Sequence, residues 1–145
     1  MPTDTASRTV TVEAPLAEVL AVIRNVESQP EWVKEILEAE LLEKYEDGSA
    51  ATARFRASTP VGTDRYTLQY EHADDGLRWH LVEGRLQTGQ DGHYTLRRKG
   101  AAHTDVTFEL TISHNLPLPG FIRRRVIEGL VSSTVDGLKS YVERR

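Results

Sequence analysis

Five histidines, a pair of tyrosines on one strand and a run of three arginines are the residues with chemistry to offer in this chain of 145 residues. His72, His80, His93, His103 and His114 include no pair at metal-ligand spacing, and no cysteine is present to add a thiolate. Disulfides, thiolate catalysis and cysteine-held metals are therefore excluded. His72 and His114 fall at the ends of inward-facing rows and are candidates to edge a cavity, either as general bases or as rim residues without chemistry. His80 points outward by alternation and His103 lies beside a turn, so both read as surface residues. Glu83 and Arg85 flank Gly84 and form either a polar site or a solvated charge pair. Tyr66 and Tyr70 share a strand face. A buried phenol needs a partner, so each either orients a polar group on a ligand or bonds nearby backbone or solvent. Arg123, Arg124 and Arg125 stand in the first turns of a helix, where the dipole disfavours cations. They suit an anionic head group, an anionic membrane beside Phe121, or ion pairs with the acidic stretch from Glu35 to Glu46. No nucleophile elbow, phosphate loop or dinucleotide fingerprint is present, so no residue is assigned a catalytic role.

Composition narrows the partners. A net charge of −4 argues against nucleic acid, whose binding relies on basic surface to neutralise phosphate. With 39% hydrophobic and 28% charged residues the chain falls in the soluble globular class. No run approaches the ~18 apolar residues of a membrane span. The opening Met-Pro-Thr-Asp-Thr-Ala-Ser lacks the cationic and apolar regions of a signal peptide, and the expected location is cytoplasmic.

The elements that must position these residues follow from periodicity. One domain over residues 1–145 is expected, with 1–6 as a flexible tail of little apolar content. Arg8 to Glu13 alternates as a strand, and Pro15 opens a helix with Leu16, Val19, Leu20, Val22 and Ile23 on its apolar side. Ser28 and Glu31 stand three apart in a capping-box arrangement that predicts a second short helix through Trp32 and Val33. From Leu37 the period is two. Leu37, Ala39 and Leu41 face one way, and the Glu46-Asp47-Gly48 turn leads to Ala51, Ala53, Phe55 and Ala57. Further inward rows carry Tyr66, Leu68 and Tyr70, then Leu77, Trp79 and Leu81, then Tyr94 and Leu96, with Gly89 and Gly92 as bulge positions. Val106, Phe108, Leu110 and Ile112 form the last row. After Leu116-Pro-Leu-Pro-Gly120 a helix to about Val142 shows Ile122, Val126, Ile127, Leu130, Val131, Val135 and Leu138. Six consecutive antiparallel strands with one polar face need a cover, and only this helix is long enough.

That order, with Val10-Thr-Val-Glu-Ala-Pro15, Val26-Glu-Ser-Gln-Pro-Glu-Trp32, Trp79-His-Leu-Val-Glu-Gly84 and Leu116-Pro-Leu-Pro-Gly-Phe-Ile122, resembles the START/birch-pollen-allergen (SRPBCC) superfamily. Within it the chain is similar to the bacterial polyketide cyclase/dehydrase and lipid-transport group, from about Arg8 to Arg144. The resemblance implies an α+β helix-grip fold: a seven-stranded antiparallel sheet wrapped around a long C-terminal helix, with two short helices after the first strand. It also implies a cavity between sheet and C-terminal helix. Alternation places Phe55, Tyr66, Tyr70, Trp79, Tyr94 and Phe108 on the covered face, where they either pack a core or line that cavity. Small Ala51, Ala53 and Ala57 share the face and make part of it shallow. Trp32, Leu81, Val126, Ile127, Leu130 and Thr134 complete the expected ligand-binding set. The expected function is binding or carriage of a lipid, isoprenoid or polyketide-like molecule, with no cofactor and no metal. The alternatives are a cofactor-independent cyclase, aromatase or dehydratase in the same cavity, and an interaction module like the coenzyme-Q-binding and ribosome-associated relatives. The expected partners are an apolar small molecule, no nucleic acid, at most transient contact with a membrane surface, and either no second copy or one, as monomer or homodimer.

Overall fold

Alternating rows become strands wherever they occur, and the computed structural model describes them over residues 2–144, Met1 and Arg145 lying outside. β1 (Thr3–Val12) precedes α1 (Leu16–Arg24) and a short 3-10 helix (Val26–Glu31). β2 (Ile36–Lys44), β3 (Ala50–Thr59), β4 (Gly62–Ala73), β5 (Gly76–Gly84), β6 (Gln87–Arg98) and β7 (Thr104–His114) follow, and α2 (Gly120–Glu143) ends the chain. The sheet runs β1-β7-β6-β5-β4-β3-β2 with every neighbouring pair antiparallel. β2 to β7 is therefore a meander, and β1 closes its far edge beside β7. This is the helix-grip fold: α2 lies on the concave face and packs against β1 and β7. Its buried stripe is Ile127, Val131, Thr134, Val135, Leu138 and Val142. No helix among the described residues is long and apolar enough to cross a membrane.

Four local expectations are corrected. β1 starts at Thr3, not after Ala6, with Thr3 to Ser7 paired to Ser113 through Glu109; of the expected tail, Met1 lies outside the described residues. Its polarity belongs to an edge strand. Outside, hydroxyl pairs Thr3–Ser113, Thr5–Thr111 and Thr9–Thr107 each close at 2.8 Å. Inside, Asp4 and Arg8 reach α2, at Arg123 (2.9 Å) and Asp136 (3.0 Å). Ser28 caps nothing. The 3-10 helix begins two residues before it and ends at Glu31, and its hydroxyl donates to the Asn25 carbonyl (2.7 Å) while accepting from Trp32 Nε1 (3.0 Å). Leu37 is 40% exposed, because a bulge between Ile36 and Glu38 drops it from the inward row. Gly92 is no bulge either: the irregularity of β6 lies between Gln87 and Gly89, and Gly92 pairs regularly with Trp79 and Leu110. A side chain there would meet the Trp79 indole at 2.3 Å, so glycine makes room for that ring.

At its C-terminal half α2 touches the chain beneath it. A Cβ on Gly137 would stand 1.7 Å from the Trp32 carbonyl oxygen. At its N-terminal half nothing comes so close, and space opens between helix and sheet.

Candidate ligand cavity

Between the N-terminal half of α2 and the concave face of β4 to β7 lies a cavity of about 590 Å³. That is within the range of small-molecule sites, about 300–1,000 Å³. Its floor is aromatic. Trp79 lies 5.9 Å from Tyr70, 5.3 Å from Tyr94 and 5.7 Å from Phe108, centroid to centroid, and Tyr94 stacks on Phe108 at 4.8 Å. Leu110, Ile112, Ile127 and Leu130 supply aliphatic walls. Exposed lining residues mark the mouth: Lys34 after the 3-10 helix, Ser58 and Pro60 at the β3–β4 turn, and Arg125, Val126 and Gly129 on α2.

Of the twelve residues expected around a ligand, Tyr66, Tyr70, Trp79, Tyr94, Phe108, Val126, Ile127, Leu130 and Thr134 line this cavity. Three do not. Trp32 is buried beneath α2 at the closed end, under Gly137. Phe55 stands one layer behind, stacked on Tyr66 at 5.5 Å. Leu81 is half-buried beside the slip of β5 against β4. Of the small residues on β3 only Ala57 reaches the cavity, whereas Ala53 is fully buried in the core.

The polar groups are arranged in a directed chain. Trp79 Nε1 donates to Gln90 Oε1 (2.9 Å), Gln90 Nε2 to Gln87 Oε1 (2.6 Å), and Gln87 Nε2 to Asp64 Oδ2 (2.9 Å). The Leu86 amide donates to Asp64 Oδ1 (2.9 Å). Every donor points toward the carboxylate, the direction that stabilises its charge. Asp64, Gln87 and Gln90 all line the cavity. None was singled out in the sequence, though parity marks two of them: Asp64 belongs to the inward row of Tyr66 and Tyr70, and Gln90 to that of Tyr94 and Leu96.

The phenols behave differently. Burial pushes the Tyr66, Tyr70 and Tyr94 hydroxyls well above their ordinary value of 10.0, and the Asp64 charge adds to this at Tyr66. They are neutral donors throughout the physiological range. Tyr70 faces Gln29, while the Tyr66 and Tyr94 hydroxyls have no hydrogen-bond partner among the described residues.

His114 is buried and lines the cavity. Its Nδ1 accepts the Leu116 amide (3.1 Å), which assigns the proton of the neutral ring to Nε2. His72 lies elsewhere: its Nε2 donates to the Ala50 carbonyl (2.7 Å) and its ring meets Tyr45 edge-on. His80 and His103 are exposed, as are Glu83 and Arg85, which form no ion pair among the described residues. The arginines do not pair with the acidic segment. Arg123 bonds Asp4 and the Leu118 carbonyl (3.0 Å). Arg124 and Arg125 have no acidic partner among the described residues. Glu38 and Glu40 instead pair across the hairpin with Arg56 and Arg54. No three histidine, aspartate or glutamate side chains among the described residues gather closely enough to hold a metal ion.

The family model described as polyketide cyclase/dehydrase and lipid transport matches residues 12–139. A START superfamily protein from Mycobacterium smegmatis superposes with a TM-score of 0.90 at 21% identity, over 97% of each chain. The Zhui aromatase/cyclase from a Streptomyces species gives 0.86 at 16%, over 99% of this chain and 96% of that one. The di-domain ARO/CYC StfQ of the steffimycin biosynthetic pathway gives 0.70 at 18%, over 96% of this chain and 44% of that one. At these identities the likeness is one of fold. No curated protein matches the chain.

Proposed function

This chain belongs to the polyketide cyclase/dehydrase and lipid-transport family, and on that premise we propose that it binds or carries a hydrophobic small molecule in the cavity between sheet and α2. One observation carries the reading. The cavity is walled by aromatic and aliphatic side chains, yet two tyrosine hydroxyls on that wall have no hydrogen-bond partner among the described residues. Both oxygens face the open space of the cavity, where a ligand oxygen would accept from them in place of water. The expected ligand is therefore mostly apolar with a few oxygens, as lipids, isoprenoids and polyketide-like molecules are.

The test is native mass spectrometry and thermal melting of the protein from its native host, before and after delipidation. A co-purifying apolar molecule whose removal lowers the melting temperature is expected. A ligand present at about 100 times its dissociation constant adds about 2.7 kcal/mol. If no apolar extract or defined amphiphile binds or shifts the melt, the reading fails.

A second reading, a cofactor-independent cyclase or dehydratase, is favoured by His114. Its Nδ1 is held by the chain while Nε2 has no partner among the described residues, on a side chain that lines the cavity. Such an N–H can donate a hydrogen bond to a bound carbonyl and polarise it. His114→Gln would abolish turnover while sparing binding if this is right, and would change neither if His114 only shapes the mouth.

A further inference from the structure

The charge of the cavity wall selects among oxygenated ligands. This inference rests on the binding reading above and narrows the ligand class. Asp64 is 1% exposed, and no cation among the described residues stands within ion-pair distance of it. Its oxygens accept two hydrogen bonds, from Leu86 and Gln87, of the roughly four an ionised carboxylate can take. Its charge is met by these two N–H donors and by no paired cation among the described residues. Arg123 is committed to Asp4 and to the Leu118 carbonyl. Arg125 is exposed on α2 at the mouth. The two residues between Asp64 and the aromatic floor, Gln87 and Gln90, are uncharged, and each donates one amide hydrogen within the chain of bonds.

Beside this carboxylate, on the same inward row of β4, stands Tyr66, and across the floor stands Tyr94. Both hydroxyls lack partners among the described residues, and burial holds both as neutral donors. The wall thus offers two kinds of contact: phenolic O–H groups that call for an acceptor, and carboxylate lone pairs that call for a donor. A ligand carboxylate satisfies the first and is repelled by the second, and repulsion between like charges is strong where water is excluded. A neutral molecule with both a carbonyl and a hydroxyl satisfies each.

We propose that Asp64, with Tyr66 and Tyr94, makes this a site for uncharged ligands that carry a ketone or ester oxygen together with a hydroxyl or phenol, and that it excludes carboxylates such as free fatty acids.

The probes are 2-naphthol, methyl 2-naphthoate, 2-naphthoate and naphthalene, similar in shape and different in charge and hydrogen bonding, titrated calorimetrically into the full chain at neutral pH. Methyl 2-naphthoate and 2-naphthol are expected to bind at least about tenfold more tightly than 2-naphthoate, and naphthalene more weakly than either. Asp64→Asn removes the charge and should bring 2-naphthoate to within a fewfold of the ester. A melt of the variant checks that it is folded, and where it is not, the wild-type comparison stands alone. Equal binding of ester and carboxylate overturns the proposal and leaves the cavity reading in place. So does a preference that Asp64→Asn leaves unchanged. If none of the four binds, the cavity reading falls and this proposal with it.

Discussion

Two glycines on α2 should answer the same methyl group with opposite signs. Gly137 crosses Trp32 so closely that a Cβ would stand 1.7 Å from the Trp32 carbonyl oxygen and 2.9 Å from its carbon. Gly129, on the same helix, has nothing within 4 Å of an added Cβ. In a helix interior alanine is favoured over glycine by about 1 kcal/mol, so Gly129→Ala should stabilise by up to that amount. At Gly137 the same gain is opposed. The two backbones must part by roughly 1.5 Å, beyond the gap of about 0.5–1 Å at which packed atoms already lose a quarter to a half of their attraction. The atoms affected belong to Val131, Thr134, Val135 and Leu138, each 4% exposed or less. Overpacking costs about 1–3 kcal/mol, and a contact between two backbones, with no flexible side chain to yield, belongs at the upper end. Subtracting the propensity gain leaves a net loss of about 2 kcal/mol. At about 2–4 °C per kcal/mol, Gly137→Ala should melt about 4–8 °C lower and Gly129→Ala up to about 2–4 °C higher. Calorimetric melts of both variants beside the wild type decide it. A Gly137→Ala protein as stable as the wild type would refute the argument, because α2 would not then be seated on Trp32.

Gly92→Ala should drive a methyl into the Trp79 indole, break its bond to Gln90 and narrow the cavity floor. A loss of about 1–3 kcal/mol should accompany a shift in tryptophan emission and weaker uptake of any apolar probe, and unchanged emission would contradict it. Tyr94→Phe removes a hydroxyl with no partner among the described residues, so the free protein should keep its stability to within about 1 kcal/mol. The same variant should bind a ketone or ester probe several times more weakly, and unaltered affinity would mean that the hydroxyl meets no ligand. Alkaline pH should unfold the protein through its buried phenols. Because Tyr66, Tyr70 and Tyr94 hold their protons more tightly when folded than the unfolded 10.0, their contribution is complete below about pH 10. It is lost as pH climbs from there through the folded values, so their tyrosinate absorbance should appear only with the loss of circular dichroism. A tyrosinate signal from the native protein that disappears in Tyr70→Phe would refute this.

How much of this was legible in the sequence depends on which forces set each feature. Period-two rows are enforced by burial of one face, and six strands, their hairpin turns and the long helix were read from them, with β1 placed but begun too late. Departures arise where a residue's environment is set by a distant partner. Thr3 to Ala6 resembles a tail until β7 supplies hydroxyls on one side and α2 supplies Arg123 on the other. Leu37 follows the alternation of its neighbours, and only the pairing of β2 with β3 puts a bulge there. The cavity set was readable in part for the same reason. Alternation tells which face Phe55 and Trp32 occupy but not their depth, which depends on where α2 is held. Asp64 and Gln90 sit in inward rows by parity, but parity alone does not tell a polar residue on a cavity wall from one at an open end of the sheet.

The position of α2 explains why a cavity exists at all. At the C-terminal half, glycine lets helix and chain meet backbone to backbone, and Trp32, Val135 and Leu138 close the space completely. At the N-terminal half the helix is held differently, by the Arg123–Asp4 pair and by Arg123 to the Leu118 carbonyl. A guanidinium is a long support. It fixes the helix from the side, at the edge strand, without bringing side chains down onto β4 to β6. The helix packs on β1 and β7, and over the rest of the sheet the aromatics lie flat against one another, stacked and tilted, without reaching up to fill the gap. Small residues on β3 were the expected origin of the space, yet only Ala57 borders it. The volume comes from a helix that is anchored tightly at one end and propped by an ion pair at the other, so its polar lining is what β4, β6 and β7 present where no helix covers them.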